Sequence, residues 1–428
     1  MTERTLTVGM LGFGTVGTGV ARLLSEHGDE IAARLGARLH LGPVAVRDPN
    51  RVRDVAVADI TTDASAVVDR PGVDIVVEVM GGVDPAQALI ERALKGGKSV
   101  VTANKELVAT VGFDLVDLAA EHGVWLEYEA AVAGGIPIIK PLRESLAGDR
   151  VQRILGILNG TTNYILTRMT EEGADFDDVL ADAQRLGYAE ANPAADVEGA
   201  DAASKVAILA SLAFDARILA GDVYREGITR VTATDIAHAR RMGYVIKLLG
   251  IAESHNGRVG VRVHPALVPA AHPLASVRDS FNAVFVEAEA VGELMFYGRG
   301  AGSLPTASAV VGDIVSVARG VLSGERPYAG SHQADKTLQP IEDLTVQYYV
   351  LLDVADEAGV LAAVASTFGQ HDVSIRSVWQ EGHGDSAQLL LITHAAREGD
   401  LQATLAALRT LAVVRDVASV MRVEGGET

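Results

Sequence analysis

Asp201 and Lys205 stand four positions apart in the stretch GYAEANPAADVEGADAASK, with Glu190, Asp196 and Glu198 just ahead of them. If a helix runs over 200–211, the two lie on one face at i and i+4. Spacing alone fits an ordinary surface pair worth ~0.3–0.5 kcal/mol. The neighbours shift the balance, because Gly187, Ala189, Ala191, Ala194, Ala195, Gly199 and Ala202 leave room beside the acids for a ligand. A carboxylate next to a lysine favours the charged ammonium. Such an ammonium can give a proton to a carbonyl oxygen as hydride reaches the carbon. The remaining acids can hold a substrate ammonium group. These residue types point to reduction of a carbonyl with an amino group nearby.

A hydride donor needs its own site, and GFGTVG (12–17) suits one. An apolar run at 5–11 reads as a strand, and Val16, Val20, Leu23 and Leu24 then recur at helical spacing. Gly12 allows the tight turn, Gly14 lets a pyrophosphate approach the backbone, and Gly17 packs helix against strand. The helix N-terminus faces the anion. With 44 glycines in the chain the motif alone is weak, and its place between strand and helix gives it weight. The second strand, 40–46, runs into VAVRDPN. An arginine at this point can accept a 2′-phosphate, whereas a carboxylate binds ribose hydroxyls. Arg47 favours NADP(H); Asp48 beside it keeps NAD(H) open, and a plain surface arginine is the bland alternative. Lys105, in VVTANKELVA, follows the fourth expected strand, where ligands sit in open α/β sheets. Asn104 suits a helix cap equally well, with Lys105 then solvated.

Around these residues, strands at 5–11, 40–46, 74–79, 99–102 and 124–128 alternate with helical patterns, which predicts a doubly wound parallel sheet. From about 150 the texture changes. A strand over 151–158 is followed by helices near 175–186 and 198–214. Strands at 244–252, 258–267, 283–290 and 293–297, with few helices between, suggest a mixed sheet. A helical run of small residues at 304–322 returns to the first domain. The expected domains are 1–148, a dinucleotide domain completed by 304–322; 149–303, catalytic and dimerising; a Gly- and Pro-rich linker at 323–345; and 346–425. In the last, strands at 347–354, 374–379, 388–394 and 416–422 with helices at 359–369 and 399–411 make a β-α-β-β-α-β, ferredoxin-like unit.

Composition removes other classes. A chain of 428 residues exceeds one compact core. No run of 18 apolar residues suggests a membrane span, and no basic, then apolar leader suggests secretion. With 37 basic against 56 acidic residues, net −19, and no basic cluster, nucleic acid is an unsuited partner. The absence of cysteine excludes thiolate zinc sites and a thiohemiacetal route of aldehyde oxidation within this chain.

GFGTVG, VVTANKELVA, YEAAVAGGIPII, LNGTTNYIL, GYAEANPAADVEGADAASKVAILA and GRGAGSLPTASAVVGD, in that order from about 5 to 322, closely resemble the homoserine dehydrogenase family. The tail resembles the ACT domain of its longer members. With no amino-kinase-like region ahead of the first strand, the monofunctional form is expected. The resemblance implies interconversion of L-aspartate 4-semialdehyde and L-homoserine, with Lys205 as proton donor and Lys105 catalytic or in contact with cofactor. Gly187, Glu190 and Asp201 would bind the amino-acid part of the substrate. The expected cofactor set is Gly12, Phe13, Gly14, Thr15, Val16, Gly17, Arg47, Thr102, Lys105 and Gly302. A monovalent cation, sodium, would sit at Glu129, through its carboxylate, and at the carbonyls of Val132, Gly134 and Ile136. The expected setting is cytoplasmic, as a homodimer or homotetramer without membrane or nucleic-acid partners. The ACT-like tail implies feedback by threonine near Gly359, although Ala358 stands where many such domains carry proline, and a purely dimerising role stays open. So do a dehydrogenase of another small amino-acid aldehyde and a silent dinucleotide and amino-acid sensor.

Overall fold

A computed structural model describes residues 4–327, 336–383 and 387–426; part of the expected linker, 328–335, lies outside the described residues. The chain forms two compact units, the first from Met1–Gly160, Asp201–Val223 and Phe281–Lys336, the second from Thr161–Ala200, Tyr224–Ser280 and Thr337–Thr428.

In the first unit Thr5–Leu11 lies at the centre of a six-stranded parallel sheet. Arg38–Ala45 and then Ile60–Thr61 lie on one side. Ile75–Glu78, Ser99–Thr102 and Leu126–Glu127 lie on the other. Val8, Ile75, Val76, Val77, Val100 and Val101 have no exposed surface, as strands covered on both faces must be. The strand order reverses between Thr5–Leu11 and Ile75–Glu78, which makes the crevice at their carboxyl ends the natural ligand position. Helix Ser303–Ser323 joins this core through Ala307, Val310, Ile314, Val317 and Ala318. By length and composition it could cross a membrane; here its buried side packs against Leu6, Val8, Val20 and their neighbours. The expected strand over 124–128 shortens to Leu126–Glu127, since the chain turns into a 3-10 segment at Glu129–Ala131. The unit also holds an antiparallel trio, Val151–Ile157, Phe281–Ala288 and Gly292–Arg299.

In the second unit Tyr244–His255 and Arg258–Pro269 form a long antiparallel hairpin. Its tip, Asn256 and Gly257, adopts φ of 51° and 79°, the left-handed pair a two-residue turn requires. The ACT-like region has strand order Val414–Val423, Thr345–Val354, Gln388–Thr393, Ile375–Glu381, all antiparallel. Helices Val360–Gln370 and Glu398–Leu408 bury Val364, Phe368, Leu401, Leu405 and Leu408 over Val350, Leu352, Leu389 and Leu391. The result is the ferredoxin-like layer expected for the tail. Helix Gly160–Glu172 was not expected: its Thr, Asn, Tyr and Ile residues carry little helical preference, and burial of Asn163, Tyr164, Ile165, Leu166 and Met169 overrides it.

Candidate active site

Helix Ala200–Phe214 places Asp201 and Lys205 on one face, and both are buried. Lys205 Nζ donates to Asp201 Oδ2 and to the carbonyl of Leu158, each at 2.7 Å. Asn159 Nδ2 donates to the same carboxylate oxygen at 2.9 Å. Lys105 Nζ donates to the other oxygen, Oδ1. Lys105 begins helix Lys105–Glu121, whose cap is Asn104, with Oδ1 accepting from the Leu107 N–H at 3.2 Å. Asn104 therefore caps the helix, and Lys105 is paired rather than merely solvated.

Only 6% of the Asp201 side chain is exposed, against 11% for Lys205 and 39% for Lys105. Burial would raise the Asp201 carboxyl; the Lys205 and Lys105 ammonium groups outweigh it and hold the group well below the usual carboxylate range. The Asp201 carboxylate thus accepts two bonds on Oδ2 and one on Oδ1, and its side chain holds both lysines. An ammonium has three donors, so the two bonds of Lys205 leave one N–H for a ligand oxygen. The sequence pattern does not reveal Asn159 and the Leu158 carbonyl as partners; the local signal for them is the Asn159-Gly160 pair just after strand Val151–Ile157.

At the nucleotide end, a Cβ on Gly12 (φ +99°) would come within 2.8 Å of the Val79 carbonyl, and one on Gly17 within 2.6 Å of the Gly12 carbonyl. Around Gly14 the space is open to 4 Å, as a pyrophosphate needs. Helix Thr15–Glu26 starts at Gly14 with no side-chain cap, which leaves its first N–H groups for an anion. Helix Ser303–Ser323 starts at Gly302, φ +126° and likewise without a side-chain cap, beside it; Ser303 Oγ donates to the Thr15 carbonyl at 2.7 Å. Two helix N-termini thus flank the glycine turn. Phe13 is buried beneath the Arg53 guanidinium, 5.9 Å from its ring centroid, and Val16 packs against the core. Arg47 is exposed, two residues past the end of Arg38–Ala45. Thr102 is buried with its hydroxyl donating to Glu78 Oε2 at 2.6 Å, while Glu78 Oε1 accepts from Met80 N–H at 2.7 Å. Its side chain braces the turn after Ile75–Glu78.

Gly187 and Glu190 belong to the second unit, on the loop after helix Phe176–Arg185. Tyr188 between them stacks on Tyr164 at 4.5 Å, and its carbonyl accepts from Thr161 Oγ1 at 2.8 Å. Gln184 Nε2 donates to the Glu190 carbonyl at 3.1 Å.

The model for the homoserine dehydrogenase NAD-binding domain matches residues 12–129, the one for homoserine dehydrogenase 137–315, and the one for the ACT domain 348–413. A homoserine dehydrogenase of Corynebacterium glutamicum is 51% identical over 97% of this chain and 95% of its own. That of Mycobacterium tuberculosis is 51% identical over 99% and 98%. The chain belongs to the homoserine dehydrogenase family. It is an oxidoreductase with a nucleotide-binding domain and a C-terminal ACT domain. The solved homoserine dehydrogenase from Thiobacillus denitrificans aligns with TM-score 0.95 at 41% identity, covering 99% of each chain. A hyperthermophilic archaeal homoserine dehydrogenase in complex with NADPH aligns with TM-score 0.62 at 27% identity, over 75% of this chain and 99% of its own.

The cation site expected from this family needs one correction. The Glu129 carboxylate is buried and already accepts from Ile138 N–H (2.6 Å), Ile139 N–H (2.7 Å) and Lys140 N–H (2.9 Å). An oxygen pair facing three N–H donors does not fit a cation ligand. Val132, Gly134 and Ile136 lie in the turn that follows, where Gly134 (φ +55°) approaches the Gly300 carbonyl so closely that a Cβ would stand 2.4 Å from it. Only backbone carbonyls remain as donors there. Behind the turn Asp313, fully buried, accepts the Glu129 N–H at 2.8 Å and lies 3.0 Å from Lys140 Nζ. Burial, reinforced by Glu127, pushes its carboxyl up to about 7 against the pull of Lys140.

Proposed function

We propose that the chain interconverts L-aspartate 4-semialdehyde and L-homoserine, with Lys205 as the proton donor and NADP(H) as the preferred cofactor. The observation behind this reading is a buried ammonium, bonded to Asp201 and the Leu158 carbonyl, with one N–H to spare. Reduced nicotinamide, when bound, supplies the hydride to the aldehyde carbon. The aldehyde oxygen takes a proton from Lys205 as the C=O bond becomes an alcohol, and the resulting amine regains its proton from solvent. Asp201 stays ionised throughout and keeps the lysine aimed. Lys105, wetter and on the same carboxylate, serves as the second lysine. Gly187 and Glu190 hold the amino-acid part of the substrate.

Arg47 supports the NADP preference as an exposed cation just beyond the second strand, and the archaeal relative solved with NADPH supports it as well. A sodium-like cation on the carbonyls of Glu129, Val132, Gly134 and Ile136 belongs to the proposal, with no step passing through it. The reading further includes a cytoplasmic homodimer or homotetramer and feedback by threonine through the ACT domain, whose presence supports amino-acid regulation. The test is NADPH oxidation, followed by absorbance, with aspartate semialdehyde as substrate. Folded protein that turns over no substrate would overturn the reading.

A further inference from the structure

In a protein of net charge −19, one cavity of about 550 Å³ in the second unit is lined by four arginines, Arg225, Arg230, Arg409 and Arg422, against two glutamates, Glu226 and Glu398. It opens where the sheet splits. Strand Arg258–Pro269 pairs with Val414–Val423 only through Ala266 and Leu267, then pairs instead with Tyr224–Arg225 through Arg262 and Val263. The wedge between exposes the edge of Val414–Val423, whose pairing with Thr345–Val354 skips Ala418 between Leu351 and Leu352. Bulges of this kind recur beside binding sites, where they re-aim neighbouring groups.

The floor of the cavity is built. Arg422, buried, donates to Glu398 Oε2 at 2.9 Å and to Glu226 Oε1 at 2.8 Å. Glu398 also accepts from Tyr348 (2.9 Å) and Gln402 (2.8 Å), and so has little capacity left. Glu226 is 39% exposed and takes its bonds, from Arg422 and Tyr224, on Oε1, which leaves Oε2 able to accept from a ligand. Arg225, Arg230 and Arg409 are exposed at the rim. A carboxylate suits such arginines, in the bidentate geometry a guanidinium offers, and an ammonium suits the free glutamate oxygen. One small molecule carries both.

We propose that this cavity binds a small α-amino acid as effector, at a site separate from the turn at Gly359, which does not line it; the inference rests on the reading of amino-acid regulation above. Its wall reaches the catalytic helix along the chain. A Cβ on Gly227 would meet the Val197 carbonyl at 2.2 Å, and Ile228 N–H donates to that carbonyl at 2.8 Å. Val197–Gly199 leads directly into helix Ala200–Phe214, which carries Asp201 and Lys205. A ligand that shifts 226–228 therefore shifts the start of that helix, and differential binding to two such states is what regulation requires.

Isothermal titration of L-threonine into the full chain tests it, with thermal midpoints of the unliganded proteins as the folding check. Arg230→Ser/Arg409→Ser should weaken binding at least tenfold, and Ala418→Trp, which fills the wedge, should do the same. Both variants binding threonine as the wild type does would overturn the site and leave the regulatory reading intact. A wild type that binds no threonine would overturn both.

Discussion

Replacing Asp201 by asparagine removes the single charge shared by two lysines while keeping the shape and the hydrogen bond to Asn159. In the wild type the carboxylate lies 2.7 Å from Lys205 Nζ and also bonds Lys105. Unit charges 4 Å apart attract by about 4 kcal/mol at an effective dielectric of ~20. That gross figure is discounted for Lys105, which is 39% exposed and can turn its charge to water. Lys205, at 11%, cannot. Breaking one side of a buried pair costs about 3–5 kcal/mol, and two cations left together argue for the upper half of that range. A typical domain stability of ~5–15 kcal/mol leaves the variant folded but weakened.

Urea unfolding at pH 7 measures the loss. Lys105→Met in the Asp201→Asn background should restore part of it, because one of two repelling cations is gone. Turnover of aspartate semialdehyde should fall ~10²–10⁴-fold, as for loss of a positioned general acid. The pH dependence has a definite sign. Asp201 titrates below its unfolded value of ~3.9, so its contribution is fully present above about pH 4 and is lost as pH falls further. The variant should lack that component of acid unfolding. A variant as stable as the wild type and within tenfold of its turnover would refute the two-lysine argument.

Arg47→Asp should raise KM for NADPH far more than for NADH, since it sets a negative charge beside the 2′-phosphate; equal effects on both cofactors would leave Arg47 a plain surface residue. Asp313, with its carboxyl raised to about 7 when folded against ~3.9 unfolded, holds extra protons in the native state between those values. Stability should therefore decline as pH rises from about 4 to about 7, Asp313→Asn should flatten that decline, and unfolding midpoints at pH 5 and 8 compare the two. Truncation after Leu344 removes Glu424, which accepts from buried Arg262 at 2.9 Å, and leaves that arginine only Glu253. The expected outcome is a loosened second unit, visible in near-ultraviolet circular dichroism, rather than an intact enzyme that has merely lost its regulation.

The parts of the fold readable in advance are those whose signals are local. The turn at Gly12 needs a left-handed residue and open space at Gly14, and both needs are met by glycine within a few positions. Asp201 and Lys205 share a face because one helical turn separates them. Asn256–Gly257 is equally local and marks its hairpin with the same physics. The distant contacts were not readable. Asn159 reaches Asp201 across 42 positions and Lys105 across 96, and no periodicity encodes such meetings.

The correction at Glu129 and the lysine-holding place of Asp201 share one cause. A carboxylate in sequence is an acceptor with about four lone-pair directions, and residue type alone does not say which donors fill them. Glu129 could be assigned to a cation until its oxygens were found on the N–H groups of Ile138, Ile139 and Lys140. The Asp201 oxygens likewise lie on two lysines and an asparagine. In both places burial decided the outcome, because a buried charge must be paired and hydrogen-bonded. Donors supplied by the fold itself are in place before any ligand arrives. An acid that stays available to a ligand has to keep an oxygen in reach of solvent. By that criterion Glu190, exposed on its loop, is the better candidate to meet a substrate ammonium, and Asp201 the better one to hold the lysine that gives the proton.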